Sequence, residues 1–440
     1  MYNIVLGRTQ SELKKFGTKG TVMIGKQYVQ MGQNYSLSNP IYLDVARAHA
    51  MLICGKRGGG KSYTMGSIAE GLADLSPDIS KNLSFILLDT MGIYWSMKFP
   101  NAKEASLLKK WGLEPRGLDV IVYVPGDFYN KYLEDGIPVD FPFYISPKEL
   151  SAEEWLKTLK LNIDNPVAVA LQRVLKKLEK EKSYSIDDMI KVAEKDERID
   201  EKTKLALINR LENTKSWGVF KKNSTPIKDI LHPGKVVVID LSSYVAMPGG
   251  WEIKALVLGI MSKKIFIERM MVRKKEELYD INKKTKVITK EQIKKDLPMP
   301  WLIIDEAHEF LPETGETAAT NALMTILREG RQPGVSLILA TQQPGKIHTD
   351  AITQSDIVLS HRITASFDLQ SLDKIFMSYE IKGSRYLFNT MPRTKGCAII
   401  MDDKNERLFT MQVRPRFTWH GGEDPSAIRT NKNEEIDFDL

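Results

Sequence analysis

Cysteine is nearly missing from this chain, with Cys54 and Cys397 the only two among 440 residues. Both stand in apolar runs, "HAMLICG" and "KGCAIIM", and are expected to be buried, reduced thiols. Two cysteines cannot build a zinc site, and the six scattered histidines supply no nearby ligands. A reducing, cytoplasmic location is the expectation. Long apolar runs are missing too. Every run is under ten residues, so no segment is expected to span a bilayer. "MYNIVLGRTQSELKKFG" lacks the apolar stretch of a secretory leader. No internal repeat and no low-complexity tract is present, which sets aside repeat arrays.

What is there suits a globular enzyme. Hydrophobic residues make up 42%, enough for a large core. The length fits two to three domains, or one large α/β unit with an insertion. The net charge of +7 favours a polyanionic partner such as nucleic acid, though weakly.

Residues 1–45 read as short strands and turns. "GTVMIGKQYVQMGQ" alternates apolar and polar residues between glycines, which predicts hairpins or a small barrel-like β region. From Ala48 onward the pattern changes to short apolar runs ending in polar turns: "AMLICG", "SFILLDT", "KVVVIDL", "WLIIDEA", "VSLILAT", "DIVLSHR" and "GCAIIMD". Such runs suit strands buried on both faces, and helical patterns separate several of them. The expected fold class is α/β, with a mainly parallel sheet covered by helices. Residues 46–145 and 233–417 form the two parts of that core. Residues 146–232 carry amphipathic helical stretches, including "SAEEWLKTLKL" with a capping box at Ser151 and Glu154, and predict a helical insertion. Residues 418–440 read as a polar arm.

Gly55-Lys56-Arg57-Gly58-Gly59-Gly60-Lys61-Ser62 fits G-x-x-x-x-G-K-[ST], with a strand before it and a helix after it. A loop that wraps a triphosphate must aim successive backbone N–H groups inward, and glycine tolerates those angles. Lys61 would reach the β- and γ-phosphates and Ser62 would hold Mg²⁺. These eight residues, together with Tyr63 and Asp89, are the expected nucleotide-binding set. Asp89 enters because it ends a core strand at the carboxyl edge, where ligands bind. No N-K-x-D motif is present, so ATP is the expected nucleotide.

"WLIIDEAHEFLP" carries two acids at a strand end. Asp305 suits the Mg²⁺ contact, and Glu306 the polarisation of attacking water. His308 and Glu309 read equally as supporting groups or as the start of a solvated loop. Gln342 ends the neighbouring strand and could touch the γ-phosphate. Arg328 and Arg331 in "LREGRQPG" are candidates for the cation that phosphoryl transfer needs, and Arg362 is a third.

Together these pieces resemble the HerA branch of the HerA/FtsK family of hexameric ATPases. The resemblance runs from about Gly20 to Gly422. Its carriers are the phosphate loop, "LLDTMGIYW", "KVVVIDLS", "LIIDEAHEFLP", "EGRQPGVSLILATQQP" and "VRPRFTWHGG". It implies a RecA-like core, a small N-terminal β-barrel, a helical insertion, a homo-hexamer with ATP between subunits, and DNA in a central channel. By position it implies Lys61, Ser62, Asp305, Glu306 and Gln342 for the site, and Arg331 for action across the interface. It also suggests pairing with a NurA-like nuclease. Ile93 stands where relatives commonly carry glutamate. Two other readings stay open: a nucleotide-controlled ring that scaffolds a protein partner, and a viral or conjugative DNA-transfer motor. Arg273, Lys274, Lys275, Lys283, Lys284 and Lys286 form a basic run that could meet DNA phosphates or simply face solvent.

Overall fold

A computed structural model describes residues 2–31, 34–284, 297–376 and 383–422. Lys286 and most of the 418–440 arm lie outside the described residues.

The strands are β1 (Ile4–Leu6), β2 (Thr21–Met31), β3 (Asn34–Asp44), β4 (Ala50–Cys54), β5 (Leu83–Asp89), β6 (Ile121–Pro125), β7 (Phe141–Phe143), β8 (Val236–Asp240), β9 (Met299–Ile304), β10 (Ser336–Thr341), β11 (Ile357–His361), β12 (Cys397–Asp402) and β13 (Arg407–Val413). They join one sheet in the order β1-β3-β2-β13-β12-β11-β4-β10-β9-β5-β8-β6-β7. From β11 to β7 every pairing is parallel, and β12, β13 and β2 continue it antiparallel. The seven apolar runs picked out above are β4, β5, β8, β9, β10, β11 and β12.

Residues 1–45 do not close a barrel of their own. β2 pairs with β13, Met411 opposite Gln27 and Val413 opposite Gly25, and so extends the central sheet. Contact here is close: a Cβ on Gly25 would meet the Gln412 carbonyl oxygen at 2.1 Å, so only glycine fits.

Each central strand is buried on both faces, and its alternate residues feed two cores. Met51 and Ile53 of β4, with Phe85 and Leu87 of β5, pack under the helix Lys61–Glu70 through Met65, Ile68 and Ala69. Leu52 and Cys54, with Ile86 and Leu88, face the other core, built from the long helix Gly250–Lys284, the helix Thr320–Glu329 and the insertion. Cys54 and Cys397 are buried free thiols, and burial pushes Cys397 up to about 12.

The insertion holds the helices Ala152–Thr158, Pro166–Leu178, Ile186–Glu194 and Glu201–Lys215, capped by the Ser151, Asn165, Ser185 and Asp200 side chains. At Ser151 the capping box closes both ways: Glu154 N–H donates to Ser151 Oγ at 3.2 Å, and Ser151 N–H donates to Glu154 Oε2 at 2.6 Å. Among the described residues, no helix is long and apolar enough to cross a membrane.

Candidate active site

The phosphate loop leaves β4 at the carboxyl edge of the sheet. Gly58 and Gly60 take φ of +70° and +105°, the left-handed region where a side chain would be strained. Backbone bonds staple the loop to its neighbours. Gly55 N–H donates to Thr341 O and Lys56 N–H to Arg362 O, each at 3.3 Å, while Gly59 N–H donates to Lys56 O at 3.0 Å. The helix Lys61–Glu70 starts with Gly60 as its cap, and no side chain accepts from its first N–H groups. Those free donors and the positive end of the helix suit phosphate oxygens. Lys61 is 7% exposed, yet its Nζ has only a 3.5 Å contact to Lys56 O. A buried ammonium so poorly partnered fits an anion beside it.

β9 lies one strand away from β4, across β10, and carries Asp305 to the same edge. Ser62 Oγ donates to Asp305 Oδ2 at 2.9 Å. Burial raises the Asp305 carboxyl above its ordinary range, against the pull of Lys61. A hydroxyl and a buried carboxylate in contact are hard oxygen ligands that suit Mg²⁺. Glu306 follows in a left-handed backbone, φ +51°, a strained choice for a side-chain-bearing residue. Burial and then Asp305 push its carboxyl up to about 7. Its Oε2 is buried without a hydrogen-bond partner.

His308, 8% exposed, sits behind Glu306. Its Nδ1 is 3.2 Å from Thr341 Oγ1 and 3.6 Å from Glu306 Oε2, and its Nε2 is 3.5 Å from Glu309 Oε1. Burial, with Lys346 and Lys61, brings its pKa down to about 4, so the ring is neutral. Gln342, half-buried, follows Thr341 at the end of β10 between the loop and the acidic strand.

Several expected residues do other work. Asp89 is buried, and its two oxygens accept from the backbone N–H groups of Met91, Gly92, Ile93 and Tyr94 at 2.7–3.1 Å. It therefore shapes that turn and offers no free oxygen to a nucleotide. The turn ends in Tyr94, whose hydroxyl donates to Ser62 O at 3.2 Å. Tyr63 turns from the loop: its hydroxyl donates to Glu104 and accepts from Arg416 N–H, both at 2.7 Å. Lys56 and Arg57 are exposed. Arg328 pairs with Asp350 on the surface at 2.6 Å. Arg331 is exposed in the turn entering β10, at the sheet edge opposite the phosphate loop. Neither arginine meets the loop of its own chain.

Two supports carried no role in the motif reading. His361, fully buried at the end of β11, lies under the loop with Nε2 2.8 Å from Thr64 Oγ1 and Nδ1 3.1 Å from Cys397 O. Glu70, fully buried at the end of the phosphate-loop helix, accepts from Arg414 at 2.8 Å and from Arg416 at 3.2 Å. It also accepts from the N–H groups of Phe417 and Thr418. The strap 414–420 is thus bound to that helix. The stretch "VRPRFTWHGG" was the signal available for it.

A glycine-rich loop on β4, an acidic pair at the end of β9 and a polar end on β10, in the strand order β11-β4-β10-β9-β5, define a phosphate-loop fold with a RecA-like α/β core. The helicase HerA central-domain family matches residues 23–248, and the chain belongs to that family. It is 23% identical over 372 residues to a protein of Methanocaldococcus jannaschii named "Probable DNA double-strand break repair helicase HerA", covering 76% of this chain and 66% of the relative. It is 33% identical over 142 residues to the HerA DNA double-strand break repair helicase of Pyrococcus furiosus, covering 30% of this chain and 25% of that one. This chain therefore spans less than two thirds of either relative. The VirB4 structure of Thermoanaerobacter pseudethanolicus shares the fold, with a TM-score of 0.52 at 12% identity over 90% of this chain and 97% of that one.

Proposed function

We propose that this chain is the subunit of a ring-shaped motor that hydrolyses ATP to move double-stranded DNA. The observation that carries the chemistry is the Ser62–Asp305 contact beneath an uncapped helix end, with Glu306 beside it. In this reading the loop N–H groups and Lys61 bind the β- and γ-phosphates. Mg²⁺ held by Ser62 and Asp305 would supply positive charge to those phosphates. Glu306 orients a water and accepts its proton as the new O–P bond forms and the β–γ bridging O–P bond breaks. Gln342 touches the γ-phosphate. Arg331, exposed and remote from its own loop, acts on the site of the neighbouring subunit, where a cation on the developing charge is worth about 10³–10⁵ in rate.

The DNA part rests on the family and on the relatives' names. It is supported by the exposed Lys274, Lys275 and Lys283 on the long helix; Arg273 there pairs with Glu276 at 3.5 Å. The proposed assembly is a homo-hexamer working with a NurA-like nuclease in DNA end resection.

The test is steady-state ATP hydrolysis with and without linear double-stranded DNA at two salt concentrations, with Glu306→Gln as control. DNA stimulation that salt suppresses, with a dead control, upholds the motor. Turnover that ignores DNA sinks the DNA part and leaves an ATPase acting on a protein.

A further inference from the structure

We propose that His308 is a positioning residue that governs whether Glu306 is available to the attacking water, and that the Thr341 hydroxyl sets its state. This deepens the hydrolysis reading above and rests on it.

A neutral imidazole carries one N–H. His308 Nε2 faces a carboxylate oxygen, Glu309 Oε1, at 3.5 Å, which favours the proton on that nitrogen. Nδ1 is then an acceptor. Thr341 Oγ1 already accepts from Gln343 N–H at 3.0 Å, so its own hydrogen is free to donate to Nδ1 at 3.2 Å. In this arrangement the one Nδ1 lone pair is taken up by the Thr341 hydroxyl, so Nδ1 has no hydrogen to donate to Glu306 Oε2, 3.6 Å away, which accounts for the unpartnered buried oxygen. Glu306 is free to take a proton from water. In the other tautomer Nδ1–H donates to Glu306 and holds it back.

Thr341 decides between the two, and it is not a bystander. It ends β10 next to Gln342, and its carbonyl accepts from Gly55 N–H of the phosphate loop. Any displacement of the β10 end would move that hydroxyl relative to Nδ1. The contacts Gly55–Thr341–His308–Glu306 thereby link the phosphate loop to the carboxylate.

The experiment measures kcat and KM for Mg²⁺-ATP in wild type, Glu306→Gln, His308→Ala, His308→Asn, Thr341→Val, Thr341→Ser and the His308→Ala/Thr341→Val pair. Nucleotide affinity is measured with a fluorescent ADP. An inactive wild type, or a fully active Glu306→Gln, sinks the hydrolysis reading itself. With those two behaving as expected, His308→Ala lowers kcat about 10- to 100-fold, the size that a misplaced group costs, at unchanged KM and ADP affinity. His308→Asn, which keeps a polar atom near Nδ1, recovers part of the rate. Thr341→Val lowers kcat and Thr341→Ser restores it. The pair is no slower than His308→Ala alone. The inference is overturned by wild-type kcat in His308→Ala, by equal losses in His308→Ala and His308→Asn, by a change confined to KM, or by additive losses in the pair. If His308→Ala does not fold, the Thr341→Val and Thr341→Ser kcat values decide alone.

Discussion

Gly60 stands where the loop becomes a helix, at φ +105° and with the His361 ring 3.4 Å from where its Cβ would be. Gly60→Ala should therefore weaken ATP binding at least tenfold while leaving the fold intact, since strain of about 1–3 kcal/mol falls on the loop alone. Equilibrium binding of labelled ATP checks this, and unchanged affinity refutes it. Lys61→Ala should lose binding or turnover. Glu306→Gln should bind ATP as wild type and lose turnover by roughly 10²–10⁴-fold, the range of general-base contributions; single-turnover hydrolysis separates the two. These residues were readable in the sequence because their geometry is local: glycine, lysine and serine are adjacent, and the acids end an apolar run. Asp89 misled for the same reason. It sits at the right edge of the sheet, but only the structure reveals that four backbone N–H groups have taken its oxygens. The Tyr63 hydroxyl is bound by Glu104 and the strap, which leaves its backbone N–H, in the first turn of the helix, as the group that would face a nucleotide.

Among elements, the most demanding is the strap 414–420. Glu70 is fully buried, and Arg414 and Arg416 are almost so. Removing the carboxylate leaves two buried guanidinium groups without their counter-charge. Glu70→Ala should cost roughly 3–5 kcal/mol, the usual size for breaking a buried pair. The midpoint of chemical unfolding gives the answer, and a loss under about 1 kcal/mol, the range of an exposed pair, would show the network to be decorative. No local pattern could reveal this pairing, because Glu70 and Arg414 are 344 residues apart. The insertion helices were readable because Ser151 and Ser185 with their partners at the third helical position are written within a single turn. The N-terminal hairpin was readable too, but its place in the central sheet was not. Alternation in β2 fixes which side chains face inward but not whether the strand closes a barrel or extends a sheet, and its partner β13 lies at the far end of the chain.

At the scale of the whole molecule, Arg331 and the phosphate loop sit on opposite edges of one sheet, so a working site of the proposed kind needs two subunits. Glu306→Gln and Arg331→Ala, each inactive alone, should regain partial turnover when mixed. An interface between an Arg331→Ala site and a Glu306→Gln neighbour contains an intact glutamate and an intact arginine. Mixing without recovery means that Arg331 does not act across subunits. DNA affinity should fall steeply with salt, as for any grip on phosphates, and Lys274→Ala/Lys275→Ala should flatten that dependence. The helix that starts at Lys61 is finished only when Arg414 and Arg416 arrive, and at synthesis rates of about 5–20 residues per second that delay is roughly 20–70 s. A chain cut short before Arg414 would keep the phosphate loop and both acids after β9 and still carry a Glu70 carboxylate without its two counter-charges. Completion of the polypeptide is thus a condition of the phosphate-loop helix being neutralised at its end.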